Sequence, residues 1–378
     1  MRSLKKSVLF VTTYDPQSQS WGGASWVDTR IIDDLSSTFE VRIFAIVQDA
    51  SLTRSPVPLE IKARPAAAAS TILRMVFLRE PYQEAKFRFS RSWKQRRADL
   101  TSEIRINPPD LIVTSQWPGL LMAEQAGLYP NLHIAHNVDT VLAENFDPAI
   151  FHAIRNVARM REREKGLLRR PVAIAAISRS DARRISDWGI PARPISIPLT
   201  VRPATRPSTF ALGFIGKTSW PPNRTAIDGL VGDLLPILKS RLGSDAPRII
   251  LAGRGSEQWA NSPGVEAWGE VAELDRFYRS IDLVVIPRTG TTTGISVKLM
   301  EAVEHGICVI APSNLIEDAG SPPGCIPADT IPEMATAVVD FSRSQNRLSH
   351  CEPTEHGSVI GRISARDLLE ELALGDNL

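Results

Sequence analysis

The sequence predicts an α/β fold of two doubly wound, mostly parallel sheets, one in each of two domains facing a cleft, and three observations predict it. With 378 residues, the chain is too long for one ordinary core and suits two domains of about 150 to 200 residues. Short apolar runs alternate with helical stretches in βαβ order through both halves, which implies parallel strands joined by right-handed crossovers. Between the halves, residues 191–207 carry five prolines and read as the linker.

The first half opens with a strand at 8–13, a polar loop at 14–24 that holds Gly22 and Gly23, a helix at 26–35 and a strand at 41–46. Apolar runs at 111–114, 133–136 and 172–177 read as further strands. Ser178 suits the N-cap of a helix starting near Asp181. A second βαβ series runs from 210 to about 342, residues 347–359 lack a period and read as a loop, and residues 364–373 read as an amphipathic helix. No internal repeat is visible. Doubly wound sheets bind ligands at the carboxyl ends of their strands, which is where candidate site residues belong.

Composition narrows the class. A chain with 43% hydrophobic and 23% charged residues and a net charge of +2 is that of a soluble globular protein, and no apolar run reaches the roughly twenty residues of a membrane helix. The basic start is followed by too short an apolar stretch for a secretory signal and reads as the first strand, so a cytoplasmic location is expected. Cys308, Cys325 and Cys351 are odd in number and lack metal-ligand spacing, so no disulfide framework is expected, and Cys308 reads as a small buried hydrophobe. There is no Asp-x-Asp pair and no Ser-His-Asp or Cys-His signature, so metal-independent chemistry without a bound cofactor is expected.

Residues 74–97 hold eight Lys or Arg against two Glu, interleaved with Phe77, Phe87, Phe89 and Trp93. A basic aromatic helix suits the surface of an anionic membrane, where each basic residue contributes about 1 kcal/mol. The plain alternative is a solvated helix whose aromatic residues pack inward. No nucleic-acid-binding motif is present, and nucleic acid is not an expected partner.

The densest motif is 282–312, DLVVIPRTGTTTGISVKLMEAVEHGICVIAP. A buried strand stops at Pro287, Gly290 and Gly294 permit close backbone approach, and a helix start offers unpaired N–H groups to a phosphate. Lys298 and Glu301 are three apart, so a cation and a carboxylate share one helix face; the bland reading is a surface ion pair. Gly306 then stops the helix before an apolar strand.

That order resembles the donor-binding unit of group 1 retaining glycosyltransferases of the GT-B fold, in which a strand ending in proline precedes a Gly-x-x-x-Lys-x-x-Glu-Ala helix and a Gly-x-x-Val-Ile strand. Residues 210–238, with the Gly216 turn and Trp-Pro-x-Asn, are similar to the opening of the family's C-terminal domain. Residues 248–256 and 265–287 resemble its next strands, and 133–140 and 173–185 resemble late N-domain segments. The resemblance implies Rossmann-like domains at 1–200 (acceptor) and 208–355 (nucleotide-sugar donor), with 356–378 a helix crossing back to the first.

It also implies roles. Glu301 would bind the ribose hydroxyls of a nucleotide sugar, and Lys298 would offset diphosphate charge together with N–H groups from Thr293, Gly294, Ile295 and Ser296. Gly216 and Lys217 would face the same phosphate, and Gly22 and Gly23 would approach it from the first domain. His136, ending its strand beside Asn137 and Asp139, would stand near the reacting sugar, though it also reads as a buried histidine satisfied by backbone. Arg254 and Arg288 follow strand ends and suit phosphate or base. Trp220 and Trp268 read as core or as base-stacking residues, and Asp139 and Glu144 as acceptor-orienting or solvated acids. Where many members carry a second glutamate near the donor sugar, this chain has Thr293.

The activity implied is transfer of a sugar from a nucleotide diphosphate to an acceptor hydroxyl with retention, in polysaccharide or glycolipid assembly, with a glycan or lipid-linked acceptor. A nucleotide-sugar 2-epimerase and a non-catalytic nucleotide-binding protein, the latter motivated by Thr293, are the alternatives. Peripheral association with the inner face of an anionic membrane would run through 74–97.

Overall fold

The computed structural model describes residues 5–16, 22–47, 65–88, 91–203, 207, 209–288, 290, 293–343 and 363–375. The chain divides into two compact units. The first comprises residues 1–198, Thr293–Ile295 and 361–378, and the second comprises residues 199–292 and 296–360.

The first unit is built on a six-stranded sheet: β1 (Ser7–Tyr14), β2 (Glu40–Val47), β3 (Leu111–Ser115), β4 (Leu132–Ala135), β5 (Ala173–Ala176) and β6 (Arg193–Pro194). Its order is β2-β1-β3-β4-β5-β6, parallel throughout. Val8, Leu9, Phe10 and Val11 are all buried, as a strand covered by helices on both faces requires. The chain runs from β1 to β2 on one side and then returns to place β3 on the other, so the switch point lies between the carboxyl ends of β1 and β3. Ser178 caps helix Arg179–Asp187 by accepting from the Asp181 N–H at 3.2 Å.

Helix Ala365–Gly375 belongs to this first unit. Arg366 pairs with Asp34 at 3.3 Å, Lys6 donates to the Ala373 carbonyl at 2.7 Å, and Ile195 bridges Ile363.

The second unit has its own six strands: β7 (Ala211–Ile215), β8 (Arg248–Ala252), β9 (Val265–Gly269), β10 (Leu283–Val285), β11 (Cys308–Ala311) and β12 (Cys325–Pro327). Their order is β12-β11-β10-β7-β8-β9, again all parallel. Here the direction reverses between β7 and β10, which puts the switch point beside Gly216 and Pro287. Both sheets are therefore the doubly wound α/β kind that the alternating pattern predicts.

Three expectations change. The segment 191–207 is not linker throughout, because Arg193–Pro194 pairs with β5 and the division falls after Pro198. The basic stretch 74–97 is not one helix: Pro65–Phe77, Tyr82–Arg88 and Arg91–Ile106 are separate, since Arg79 turns left-handed at φ 55° and Pro81 cannot continue the first. Phe87 and Trp93 stack at 4.5 Å and are buried, whereas Phe77 is exposed and Phe89 lies outside the described residues. Cys308 is buried in β11 as expected but is disulfide-bonded. Cys351 and the loop read at 347–359 lie outside the described residues.

Candidate functional site

In the second unit, helix Val297–Glu304 follows Ser296, which makes no side-chain cap; the Leu299 N–H goes to the Ser296 carbonyl at 3.0 Å, and the Val297 and Lys298 N–H groups stay available to a ligand. Lys298 donates to Asn223 Oδ1 at 2.7 Å and lies 4.6 Å above the Phe214 ring. Burial, with the Arg288 guanidinium beside it, pushes the Lys298 ammonium down to about 7, against a smaller upward pull from Glu301. A lysine held there gains most from an added anion.

Asn223 ties this cation to the Gly216 turn, since its Nδ2 donates to the Lys217 carbonyl at 2.9 Å. A Cβ on Gly216 would stand 2.6 Å from that amide nitrogen, and one on Gly253 would stand 2.4 Å from the Gly216 carbonyl oxygen. Glycine is needed at both positions to bring the two turns and Asn223 together. The Lys217 side chain is exposed.

Glu301 accepts from the Tyr278 hydroxyl at 3.3 Å. Tyr278 stacks on His305 at 4.3 Å, and His305 bridges the Glu301 carbonyl and Asp275, each at 2.8 Å. Burial first, then the Glu301 charge, raises the Tyr278 hydroxyl well above its ordinary range, so it remains a donor. Rather than forming a plain surface pair, Lys298 and Glu301 are each held by a different neighbour, Asn223 and Tyr278. Gly216, Lys217, Ser296, Lys298 and Glu301 are gathered at one switch point. Arg254 is not part of the cluster, because it forms a bidentate pair with Glu270 on the exposed surface. Trp268 meets Phe277 edge-on at 6.3 Å and Arg276 at 5.2 Å, and Trp220 is half-exposed at a helix start.

In the first unit, Gly22 precedes helix Gly23–Thr38 at φ 82° and ψ −152°, a conformation essentially reserved for glycine. Nothing lies within 4 Å of a Cβ built there, so the requirement is conformational rather than steric. Beside it, the buried hydroxyls of Thr13 and Ser25 have no hydrogen-bond partner among the described residues.

His136 follows β4 directly. Its Nε2 lies 2.9 Å from Ser115 Oγ and 3.1 Å from Asp28 Oδ1. Asp28 accepts from the Ser115 hydroxyl at 2.6 Å, from the Thr12 hydroxyl at 2.6 Å and from the Gln116 amide at 2.8 Å. Gln116 adopts φ 63° to reach inward, a non-glycine strain of about 1 to 3 kcal/mol that the network must offset. The backbone-satisfied reading of His136 is replaced by this side-chain network. His133 is buried against Thr114 at 3.0 Å, and burial plus the neighbouring His136 lowers it to about 3, so it stays neutral.

Thr293, Gly294 and Ile295 belong to this unit as well. The Thr293 hydroxyl accepts from the Val138 N–H at 2.7 Å and contacts the Asp181 carboxylate at 2.9 Å. The Gly294 N–H also donates to Asp181, at 2.6 Å, and a Cβ on Gly294 would stand 2.6 Å from the His136 carbonyl. Thr293 therefore spends its hydroxyl on Asp181. Asp139 is half-buried rather than freely solvated. Its N–H and those of Thr140 are capped by Glu164 at 2.7 and 2.8 Å. Burial raises both acids, Asp139 strongly and Glu164 to about 7, despite the three hydrogen bonds Glu164 receives. Glu144 is on the surface with Arg161.

Asp28, Ser115, Asn223, Tyr278 and Asp181, which hold the candidate site residues in place, were not singled out from the sequence. Only Asp28 left a trace there: it shares a helix face with Ile31, Ile32 and Leu35, an acid on an apolar stripe. Among the described residues, no group of three or more His, Cys, Asp or Glu is placed to hold a metal ion, and no helix is long and apolar enough to cross a membrane.

Residues 209–343 match the family model described as Glycosyl transferases group 1. No curated protein matches the chain by sequence. Among solved structures, sucrose-phosphate synthase from Thermosynechococcus elongatus is similar at TM-score 0.62 and 12% identity, covering 99% of this chain and 98% of that one. Alr3699/HepE from Anabaena, determined with UDP and glucose, is similar at 0.57 and 14%, covering 98% and 99%. The alpha,alpha-trehalose 6-phosphate synthase from Burkholderia multivorans is similar at 0.56 and 10%, covering 99% and 98%. At these identities the likeness is one of fold, and the fold is GT-B.

Proposed function

We propose, from the premise that a group 1 glycosyltransferase segment stands here on a GT-B fold, that the protein transfers a sugar from a nucleotide diphosphate to an acceptor hydroxyl with retention. The observation that carries the reading is the cluster at the second switch point, where uncapped helix N–H groups, Lys298 and Glu301 converge within the matched segment. The similar Anabaena protein was determined with UDP-glucose, which supports a nucleotide-sugar donor.

In this reading Glu301, oriented by Tyr278, accepts from the ribose hydroxyls. Lys298 and the first-turn N–H groups take up the negative charge that grows on the diphosphate as the glycosidic bond breaks. Lys217, exposed beside them, adds charge without fixed geometry. No protein group need remove the acceptor proton, because the departing diphosphate can receive it once the two substrates are aligned.

Metal-free calorimetric titration of UDP, GDP, ADP and dTDP into the wild type and Glu301→Ala tests the site. One nucleotide should bind selectively, and the variant should weaken it by about 1 to 3 kcal/mol. Equal affinity in the two proteins would remove Glu301 from the site. Labelled-sugar transfer with retained configuration would separate the reading from epimerisation and from binding without turnover.

The acceptor is proposed to be a glycan or lipid-linked, with the protein at an anionic membrane surface. Its support has moved from the buried aromatic residues to Ile72, Leu73, Val76, Phe77 and Leu78, all exposed at the end of helix Pro65–Phe77. A groove of about 880 Å³ beside them is lined by Arg79, Arg155 and Arg159 as well as by acidic residues.

A further inference from the structure

The buried polar network of the first unit has a hydrogen-bond logic that singles out one residue. A serine hydroxyl has a single hydrogen, and an ionised carboxylate can only accept. Ser115 gives its hydrogen to Asp28 at 2.6 Å. Its oxygen, 2.9 Å from His136 Nε2, can then only receive one. The direct Nε2 to Asp28 Oδ1 contact at 3.1 Å makes the same demand. Every neighbour of the Asp28 carboxylate, including Thr12 and the Gln116 amide, offers it a hydrogen.

We infer that Asp28 is a positioning residue that holds His136 with its hydrogen on Nε2 and leaves Nδ1 as the acceptor for a substrate hydroxyl. Nδ1 has no partner among the described residues, and it is not among the unpartnered atoms sealed from solvent. All five side chains are nearly buried, with Asp28 and Ser115 at 0% and His136 at 5% exposure, so no water is needed to complete the arrangement. The network lies where β1 and β3 part, beside the unpartnered hydroxyls of Thr13 and Ser25. A carboxylate, a hydroxyl and an imidazole are more polar groups than packing alone would place there. The role in turnover rests on the glycosyl-transfer reading; the hydrogen assignment does not.

The test is proton and nitrogen magnetic resonance of the imidazole groups in nitrogen-labelled full-length protein, with the His136 signals identified by their loss in His136→Gln. The expected wild-type result is a protonated Nε2, its hydrogen shifted downfield and protected from exchange. Asp28→Asn should abolish that downfield, protected signal and, with an active donor and acceptor pair, lower kcat about tenfold while leaving nucleotide affinity unchanged. Ser115→Ala, which keeps the direct contact to Asp28, should retain Nε2 protonation and serves if Asp28→Asn does not fold. Protonation on Nδ1 in the wild type, or an unchanged Nε2–H signal in Asp28→Asn, would overturn the assignment. Absence of sugar transfer by the wild type would count against the functional reading alone, because the resonance result stands without it.

Discussion

Lys298 gives the sharpest numerical expectation. Its ammonium sits near 7 because burial and Arg288 outweigh the pull of Glu301, and a bound diphosphate would restore its charge. Binding should therefore take up a proton: about half a proton at pH 7 and about nine-tenths at pH 8. The sign follows from the free state, in which the amine is neutral above 7 and must be recharged, so affinity falls as pH rises. The loss approaches tenfold, about 1.4 kcal/mol, for each unit above 7. The assay is calorimetry between pH 6.5 and 8.5, in buffers of different ionisation enthalpy. An intact nucleotide sugar is the better titrant, because its diphosphate has no ionisation of its own in that range. Lys298→Arg, charged throughout, should show no such slope. A flat wild-type profile, or an equal slope in Lys298→Arg, would refute the reasoning.

Other expectations concern the scaffold and the membrane. Gly253→Ala, at φ 107° with the Gly216 carbonyl in its way, should lower stability by about 1 to 3 kcal/mol in urea unfolding. Gly166→Ala, in open space within helix Asn156–Leu168, should raise it by about 0.5 to 1 kcal/mol. Glu164 is raised to about 7 in the folded chain from an ordinary value of 4.5. Its contribution is therefore complete below about 4.5 and lost as pH climbs to 7; Glu164→Gln should make the fall in urea midpoint between pH 5 and 7.5 shallower, and parallel profiles would reject this. Phe77→Asp should reduce recovery with anionic vesicles at low salt, and a wild type that does not pellet with them would remove the membrane contact.

The sheets were legible because parallel strands buried on both faces must be apolar throughout, as 8–11 and 249–252 are. The second-unit cluster was legible because its groups follow one another along a strand, a turn and a helix. Even there, Lys298 and Glu301 were visible as neighbours, while Asn223 and Tyr278, which hold them apart, were not. The His136 network spans 87 residues from Asp28 to Ser115 and 21 from Ser115 to His136, so only the meeting of β1, β3 and β4 assembles it. The basic stretch misled because its charge count says nothing of the left-handed turn at Arg79. Thr293 was read as a missing charge; its hydroxyl lies on a carboxylate 112 residues away.

Helix Ala365–Gly375 completes the first unit, although residues 199–292 and 296–360 intervene. During synthesis the ordinary expectation is that the leading domain folds first. Here Asp34, Lys6 and Ile195 wait for Arg366, Ala373 and Ile363 until residues 363–375 have left the ribosome. The second unit can finish earlier. A nascent chain stalled before residue 363 would carry a finished second unit and an unfinished first one, so quality control would find the weak point around Lys6 and Asp34 while the missing piece lies beyond residue 360.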